Sequence, residues 1–387
     1  MKKKVGAIAF ASAVAVGGFL AMPSQYYLRR ALINLKPGIN QYPIFANREV
    51  KATNPMPWPK SKLYNTGKIP KKFLPEFKKY KSIAFAVFQH GQLLFDTYWE
   101  GYSPTSHSNS FSMAKSIISL GIGCAIDDGF IKSVNQPVSD FFPAFKAYDH
   151  KALTIKHLLT MSAGTDFEEA YSSPFSPTTK LYYGNDLQKI AMEMNLIEEP
   201  GVNFIYQSGV TQLLAFILKK ATGETISDYI SHRLFSPIGA EHNALWSLDK
   251  KGGIEKAFCC FNSNALDFAR FGQLILNQGR WKGKQIISAD YIKAAITPDT
   301  SLIFKEHNEP NKVYGYQFWK CQYDGYEIPL MRGILGQYVY IVPEKDAVIV
   351  RLGQKRSQQR DKQHFTIDQK IWFEAGLALL NQANAEE

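Results

Sequence analysis

Two residues at the start of an apolar segment have the types and the spacing that nucleophilic catalysis needs. Ser112 and Lys115 lie three positions apart in FSMAKSIISLGIGCAIDDG, residues 111–129. On a helix the two side chains share a face, so the amine can reach the hydroxyl and, once burial lowers its pKa, accept the hydroxyl proton. A structural role is the alternative, because serine is also a common residue at helix N-termini. The spacing alone does not separate the two.

A second Ser-x-x-Lys sequence occurs in a different setting. Ser247 and Lys250 lie in WSLDKKGG, a polar turn with no apolar helix behind it, and we expect no catalysis there. The chain contains no GxSxG, no HExxH and no GxxxxGK[ST] sequence. It therefore lacks the motifs of α/β-hydrolases, zincins and P-loop enzymes. Its eight histidines form no recognisable pairing with an acid, and we expect neither a metal nor a cofactor.

Three segments together resemble the motifs of serine β-lactamases and penicillin-binding proteins. FSMAKS resembles the first motif. PGVNFIYQSGVTQLLAFIL resembles the second, a tyrosine two residues before Asn or Ser, here Tyr206 and Ser208. GILGQYVYIVPEKDAVIVRLG is similar to the third-motif strand region of the class C group. The resemblance covers roughly residues 80 to 385, and within the superfamily it points to nylon-oligomer (6-aminohexanoate-dimer) hydrolases and related esterases.

The resemblance implies roles for individual residues. Ser112 would attack a carbonyl carbon, and Lys115 and Tyr206 would share its proton, with the Tyr206 hydroxyl within hydrogen-bond reach of Lys115. The backbone N–H groups of Ser112 and Ile334 would bind the oxyanion. Residues that would contact the substrate are Tyr171, Ser208, Gly333 and Gly336. Structural roles stay open for these four, as a loop residue, a helix cap and two turn glycines.

The third-motif region departs from the penicillin-recognising pattern. It reads Met331-Arg332-Gly333-Ile334 in place of the Lys-Thr-Gly or His-Thr-Gly that binds a substrate carboxylate. We therefore expect a small ester or amide as the substrate. Two alternatives remain: a β-lactamase or D-alanyl-D-alanine carboxypeptidase, and a non-catalytic envelope-binding protein on the same fold. The presence of Ser112, Lys115 and Tyr206 disfavours the latter.

The order of the predicted elements indicates an α+β fold. A hairpin over residues 82–100 and strands near residues 326–353 would form one antiparallel sheet. Helices flank it, and a helical subdomain is inserted over about 150–310, as in the β-lactamase/transpeptidase fold. The chain has 387 residues, of which 45% are hydrophobic, enough for a sizeable core. We assign residues 82–387 to the hydrolase domain and 26–81 to a basic, extended lead-in.

The N-terminus predicts export. Three lysines precede an uncharged stretch over residues 5–22, within a segment, residues 1–25, that is either a signal peptide or a membrane anchor. No small-x-small pair stands at its end, which favours the anchor. We expect a periplasmic or cell-envelope location. Much of the net charge of +11 lies in residues 60–81, which suit anionic lipid or envelope polymers, or a solvated face, rather than nucleic acid.

The four cysteines are Cys124, Cys259, Cys260 and Cys321. Cys124 lies in the apolar segment and suits the core. Adjacent cysteines rarely bridge to each other, so in an exported protein we expect that any disulfide would join Cys259 or Cys260 to Cys321.

Overall fold

The computed structural model describes residues 18–148, 150–171 and 173–386. Within those ranges no helix is both long enough and apolar enough to cross a membrane. The predicted span over residues 5–22 lies largely outside them.

The secondary structure combines short peripheral strands with a few long elements. The strands are β1 Asn47–Val50, β2 Ser82–Gln89, β3 Gln92–Tyr98, β4 Ser108–Asn109, β5 Ala147–Tyr148, β6 Lys151–Ala152, β7 Asn203–Phe204, β8 Ala244–Ser247, β9 Phe261–Ser263, β10 Arg280–Trp281, β11 Lys284–Gln285, β12 Ile303–Phe304, β13 Glu309–Pro310, β14 Trp319–Tyr323, β15 Tyr326–Gly333, β16 Gln337–Val342 and β17 Ala347–Gly353. The helices are α1 Tyr26–Asn34, α2 Leu74–Lys79, α3 Met113–Asp127, α4 Ile155–Leu159, α5 Pro177–Tyr183, α6 Leu187–Met192, α7 Ser208–Thr222, α8 Ile226–Ile230, α9 Ala265–Leu276, α10 Ala289–Ala295 and α11 Asp368–Glu386.

The central sheet has six strands in the order β14-β15-β16-β17-β2-β3. All neighbouring pairs are antiparallel, and β2 from the N-terminal half lies directly beside β17 from the C-terminal end. The hairpin of β2 and β3 turns at His90 and Gly91, both of which have positive φ. The predicted α+β class and the sheet built from distant segments are confirmed.

Alternation along the strands gives the sheet two buried faces. Phe85 and Val87 of β2 pack in the core that Trp372 of α11 completes. Ala86 and Phe88, one position out of step, pack in the larger core on the side of the helical region. Successive side chains of a strand point to opposite faces, so the apolar run IAFAVF, residues 83–88, fits a strand covered on both sides.

Helix α3 lies in the middle of the larger core. Every residue from Met113 to Ala125 is buried, which explains why the segment is apolar all round rather than on one stripe. The helix contacts α7 and the β15 strand. Its first turn, with Ser112 and Lys115, is therefore held between the sheet and the second-motif helix.

The lead-in over residues 26–81 is packed against the rest of the protein. Strand β1 pairs with β8, from Asn47 opposite Ser247 to Val50 opposite Ala244, in a four-stranded sheet β1-β8-β9-β4. Helix α2 places Phe77 in the core beneath α11. The sequence predicted an extended segment because it is rich in Pro, Asn and Lys. NREV, which forms β1, shows no hydrophobic alternation that would indicate a strand.

Candidate active site

Ser112 stands directly before α3, where a cap residue would be, but it does not cap the helix. Its side chain makes no capping hydrogen bond. The preceding residue, Phe111, has a φ of 45°, a strained value for a bulky side chain. The N–H of Phe111 donates to Asn109 Oδ1 at 2.8 Å, which holds this turn in place. The hydroxyl of Ser112 is thus left available for another partner.

That partner is Lys115. Its Nζ lies 3.1 Å from Ser112 Oγ, 3.1 Å from Ser208 Oγ and 2.8 Å from the Phe258 carbonyl oxygen. The side chain is 1% exposed. Burial lowers the pKa of Lys115 to about 8, although the negative charge of Glu169 acts in the opposite direction. About a tenth of the amine is therefore neutral at pH 7, and this neutral form can accept a proton.

Glu169 is the residue that the sequence did not reveal. One of its carboxylate oxygens accepts the Ser208 N–H and the other the Ser208 hydroxyl, both at 2.7 Å. The Tyr171 hydroxyl donates to the same carboxylate. Ser208, at the start of α7, thereby links Lys115 to a negative charge. FEEAYSSP carries no spacing signal for this contact, because it depends on how a loop folds over a distant helix.

Tyr206 lies beside Ser112 but in a different relation to Lys115 than expected. Lys115 Nζ sits 5.1 Å from the centre of the Tyr206 ring, and within the described residues no hydrogen bond joins the amine to the phenol. Burial and then Glu169 raise the pKa of Tyr206, while the Ser112 side chain acts the other way. Lys115 is not among the groups that lower this pKa. Near neutral pH the phenol stays protonated.

Two residues that line both cavities, Ser112 and Ile334, have backbone N–H groups without an acceptor in the described residues. Within the described part of the chain, neither the Ser112 N–H nor the Ile334 N–H donates a hydrogen bond to the protein. Gly333 brings the end of β15 against the nucleophile's turn, since a Cβ there would lie 2.3 Å from the Ser110 carbonyl oxygen. Free donors at a developing negative charge are what an oxyanion hole requires.

Gly336 is not brought to the site. It adopts a φ of 88°, and a Cβ would collide with the Arg351 guanidinium. Its position is a turn between β15 and β16 rather than a cavity wall. The second Ser-x-x-Lys sequence does not form a catalytic pair. The Ser247 hydroxyl donates to Asn47 Oδ1 at 2.8 Å within the β1–β8 pair.

A cavity of ≈670 Å³, which we call the charged cavity, opens beside Ser112. Its charged lining residues are Glu168, Glu169, Lys305, Glu306, Arg332, Arg356 and Arg360. Tyr206 and Trp319, stacked with ring centres 5.3 Å apart, form part of its wall. Arg332 is buried with its guanidinium over Trp319 and Phe365, and its Nε has no hydrogen-bond partner in the described residues.

A second cavity of ≈570 Å³, the α1 cavity, meets the first at Ser112, Tyr171 and Ile334. From the end of α1 and the residues after it, Ala31, Leu32, Leu35, Lys36 and Pro37 line it, together with side chains of α5 and of the Phe258 loop. No group of three or more His, Cys, Asp or Glu residues that could hold a metal ion occurs in the ranges the structure describes.

The Phe258 loop contains a disulfide between the adjacent residues Cys259 and Cys260. Cys321 and Cys124 are reduced and buried. The bridge to Cys321 that the sequence left open is not formed, because β14 carries Cys321 into the core under α11, on the far face of the sheet from Cys259. Cys124 lies in the core as expected.

Comparisons with known proteins agree with this geometry. The family model Beta-lactamase matches residues 71–370. The 6-aminohexanoate-dimer hydrolase of Paenarthrobacter ureafaciens is 24% identical over 283 residues, 70% of this chain and 71% of the relative.

Among solved structures, a candidate 6-aminohexanoate-dimer hydrolase from Bacillus anthracis superposes with a TM-score of 0.75 at 21% identity, over 90% of this chain and 93% of that one. A family VIII carboxylesterase gives 0.63 at 15% identity, over 83% and 98%. At these identities the structures share the fold. Since the family model spans most of the sequence, this chain is a serine hydrolase of the β-lactamase family.

Proposed function

We propose that the protein hydrolyses small esters or amides through a covalent acyl-enzyme at Ser112. The observation that carries the proposal is the buried Lys115 amine, 3.1 Å from Ser112 Oγ and with its pKa lowered to about 8. A neutral amine in this position can take the hydroxyl proton as Oγ forms its bond to the carbonyl carbon. The N–H groups of Ser112 and Ile334 are free to bind the oxyanion.

The remaining steps add Tyr206 and a water molecule to these groups. Collapse of the tetrahedral intermediate breaks the bond to the leaving oxygen or nitrogen, which takes up the proton that Lys115 received. Tyr206 stays protonated because its pKa is raised, and it supports this transfer by donating a hydrogen bond to the leaving atom. Water then attacks the acyl-enzyme with Lys115 again as base, which releases the acid and restores Ser112.

Covalent labelling tests the nucleophile. A fluorophosphonate probe should attach once, on the peptide that contains Ser112, and Ser112→Ala should abolish both the label and the hydrolysis of p-nitrophenyl butyrate. The matched control is Ser247→Ala in the other Ser-x-x-Lys sequence, which should label and turn over as the wild type does. Labelling that persists in Ser112→Ala would refute the assignment.

A second candidate function is favoured by Arg332. Its buried guanidinium lines the charged cavity, where it could meet the carboxylate of a β-lactam or a D-alanyl-D-alanine peptide. The chain lacks the Lys-Thr-Gly strand that binds this group in the family. We therefore expect turnover of p-nitrophenyl acetate and butyrate and little turnover of nitrocefin. A larger kcat/KM for nitrocefin would favour the second function, and Arg332→Ala would then show whether this residue replaces the missing lysine.

A further inference from the structure

The α1 cavity is built partly by the segment that sequence reasoning treated as a lead-in. Ala31, Leu32, Leu35 and Pro37 line it, together with Phe111, Pro174 and Tyr182 from the body of the domain. Among its described lining residues, Lys36 is the only charged side chain. The charged cavity on the other side of Ser112 carries several charges of both signs. The nucleophile thus stands between two compartments of different chemistry.

Helix α1 is anchored well enough to form a wall. Leu28 and Ala31 are buried, and the helix packs along α5. Leu32 is 51% exposed and Leu35 76% exposed at the edge of the cavity. Apolar side chains left in water at the rim of a cavity gain free energy when an apolar ligand covers them.

The position of Tyr206 decides which half of the substrate enters which cavity. Tyr206 lines the charged cavity and is absent from the described lining of the α1 cavity. In the proposed function the Tyr206 hydroxyl donates a hydrogen bond to the leaving atom, so the leaving group extends into the charged cavity. The acyl group, attached to the same carbonyl carbon, must then extend the opposite way from Ser112.

We propose that the α1 cavity is an acyl-chain subsite and that the substrate carries an apolar acyl chain of several carbons. This rests on the proposed function, since it requires the acyl-enzyme at Ser112. Each methylene that passes from water into the cavity should raise kcat/KM about fourfold. Lys36, the charged residue in the described lining, is itself exposed to solvent.

A chain-length series tests the subsite. Initial rates on p-nitrophenyl acetate, butyrate, hexanoate and octanoate give kcat/KM as a function of acyl length. In the wild type the values should rise along the series. Leu32→Ser and Leu35→Ser should each lower the ratio of octanoate to acetate by about fivefold, because a contact with the chain is lost.

The control lies on the same helix. Ile33 is 79% exposed and does not line the cavity, so Ile33→Ser removes a comparable apolar side chain without touching the subsite. Its octanoate to acetate ratio should equal that of the wild type. Circular dichroism of all three variants should match the wild type, as expected for surface positions.

Three results would overturn the inference. If kcat/KM of the wild type does not rise with acyl length, the α1 cavity does not hold the acyl chain. The same conclusion follows if the octanoate to acetate ratio falls equally in Leu32→Ser and Ile33→Ser. If alkyl acetates of increasing alcohol length respond to Leu32→Ser instead, the cavity holds the leaving group. Failure of the proposed function looks different, since acetate hydrolysis and fluorophosphonate labelling at Ser112 would then both be absent.

Discussion

Lys115 is subject to two opposing influences, and their balance sets the pH at which it can act. Burial disfavours its charged form, whereas the Glu169 carboxylate, reached through Ser208, favours that form. The net result is a pKa lowered to about 8. Only the neutral amine accepts the Ser112 proton, so the active fraction grows as the pH rises through this value.

The pH profile should follow from this balance. In the wild type, kcat/KM for p-nitrophenyl butyrate should rise about tenfold per pH unit below about pH 8 and level off above it. Glu169→Gln removes the charge that raises the pKa of Lys115, so the rising limb should move to lower pH. A profile that stays in place, or moves to higher pH, would contradict the assignment of Lys115 as the base.

Single residues were predictable where local spacing reports on chemistry. Ser112 and Lys115 lie one helical turn apart, so their proximity follows from the sequence, whereas Tyr206 was identified from the resemblance of its segment to the family's second motif. Glu169 reaches Ser208 from a loop. The side chain of Arg332 enters the cavity because of its register in β15. Neither contact has a signature along the chain, because both are set by tertiary packing.

Among the elements, β15 has the most direct effect on the site, since its last residue sets the distance between the sheet and the nucleophile's turn. A Cβ on Gly333 would lie 2.3 Å from the Ser110 carbonyl oxygen. Any side chain at this position must push the strand away and take the Ile334 N–H with it.

Gly333→Ala should therefore lower kcat on p-nitrophenyl butyrate by about 100-fold or more, the usual effect of losing one oxyanion donor. The control is Gly325→Ala at the other end of β15, where a Cβ meets nothing within 4 Å. In that variant the alanine must adopt the positive φ of Gly325, so the protein should lose some thermal stability while keeping its kcat. Equal activity of the two variants would argue against Ile334 as an oxyanion donor.

Asn109 couples two further elements, the nucleophile's turn and the Phe258 loop. Its Oδ1 accepts the Phe111 N–H at 2.8 Å and the Cys260 N–H at 3.1 Å. Asn109→Ala leaves both buried donors without this acceptor, at about 1–3 kcal/mol each, and should lower kcat as well as the midpoint of urea unfolding. Asn264→Ala, which removes the cap of α9 away from the site, should cost about 1 kcal/mol of stability and leave kcat intact. Unchanged kcat in Asn109→Ala would mean that this link is structural only.

Long apolar strands were predictable, and short polar ones were not. The β15, β16 and β17 strands were found from YEIPLMRG, GQYVYIVP and AVIVRLG, because such runs suit a sheet buried on both faces. The β1-β8-β9-β4 sheet consists of strands of two to four residues with too few positions to show a period. The Cys259–Cys260 disulfide was missed for a related reason, since the bridge depends on a local backbone turn in which Cys260 has a φ of 69°.

At the scale of the whole molecule, the N-terminal region has two parts with different roles. The segment over residues 26–81 is packed into the fold, whereas the span that we propose as a membrane anchor, residues 5–22, precedes it. The two can therefore be separated experimentally without removing a wall of the α1 cavity.

Full-length protein should fractionate with membranes and resist a salt wash. A chain beginning at Tyr26, which retains α1, should be soluble and keep its activity on p-nitrophenyl esters. For each of the two chains, membrane and soluble fractions are separated and assayed for hydrolysis of p-nitrophenyl esters. A soluble mature form that begins between Ala21 and Tyr26 would show instead that the N-terminus is a cleaved signal peptide.

The pairing of β2 with β17 also constrains the order in which the protein can be made. On one side β2 has its hairpin partner at once, but on the other its hydrogen-bonding edge waits for residues 347–353. At typical synthesis rates the ribosome needs roughly 15 to 50 seconds to reach them. During that time the growing chain displays an apolar, unpaired strand edge, the kind of surface that promotes aggregation. We therefore expect that chaperones must bind the nascent protein until β17 has emerged from the ribosome.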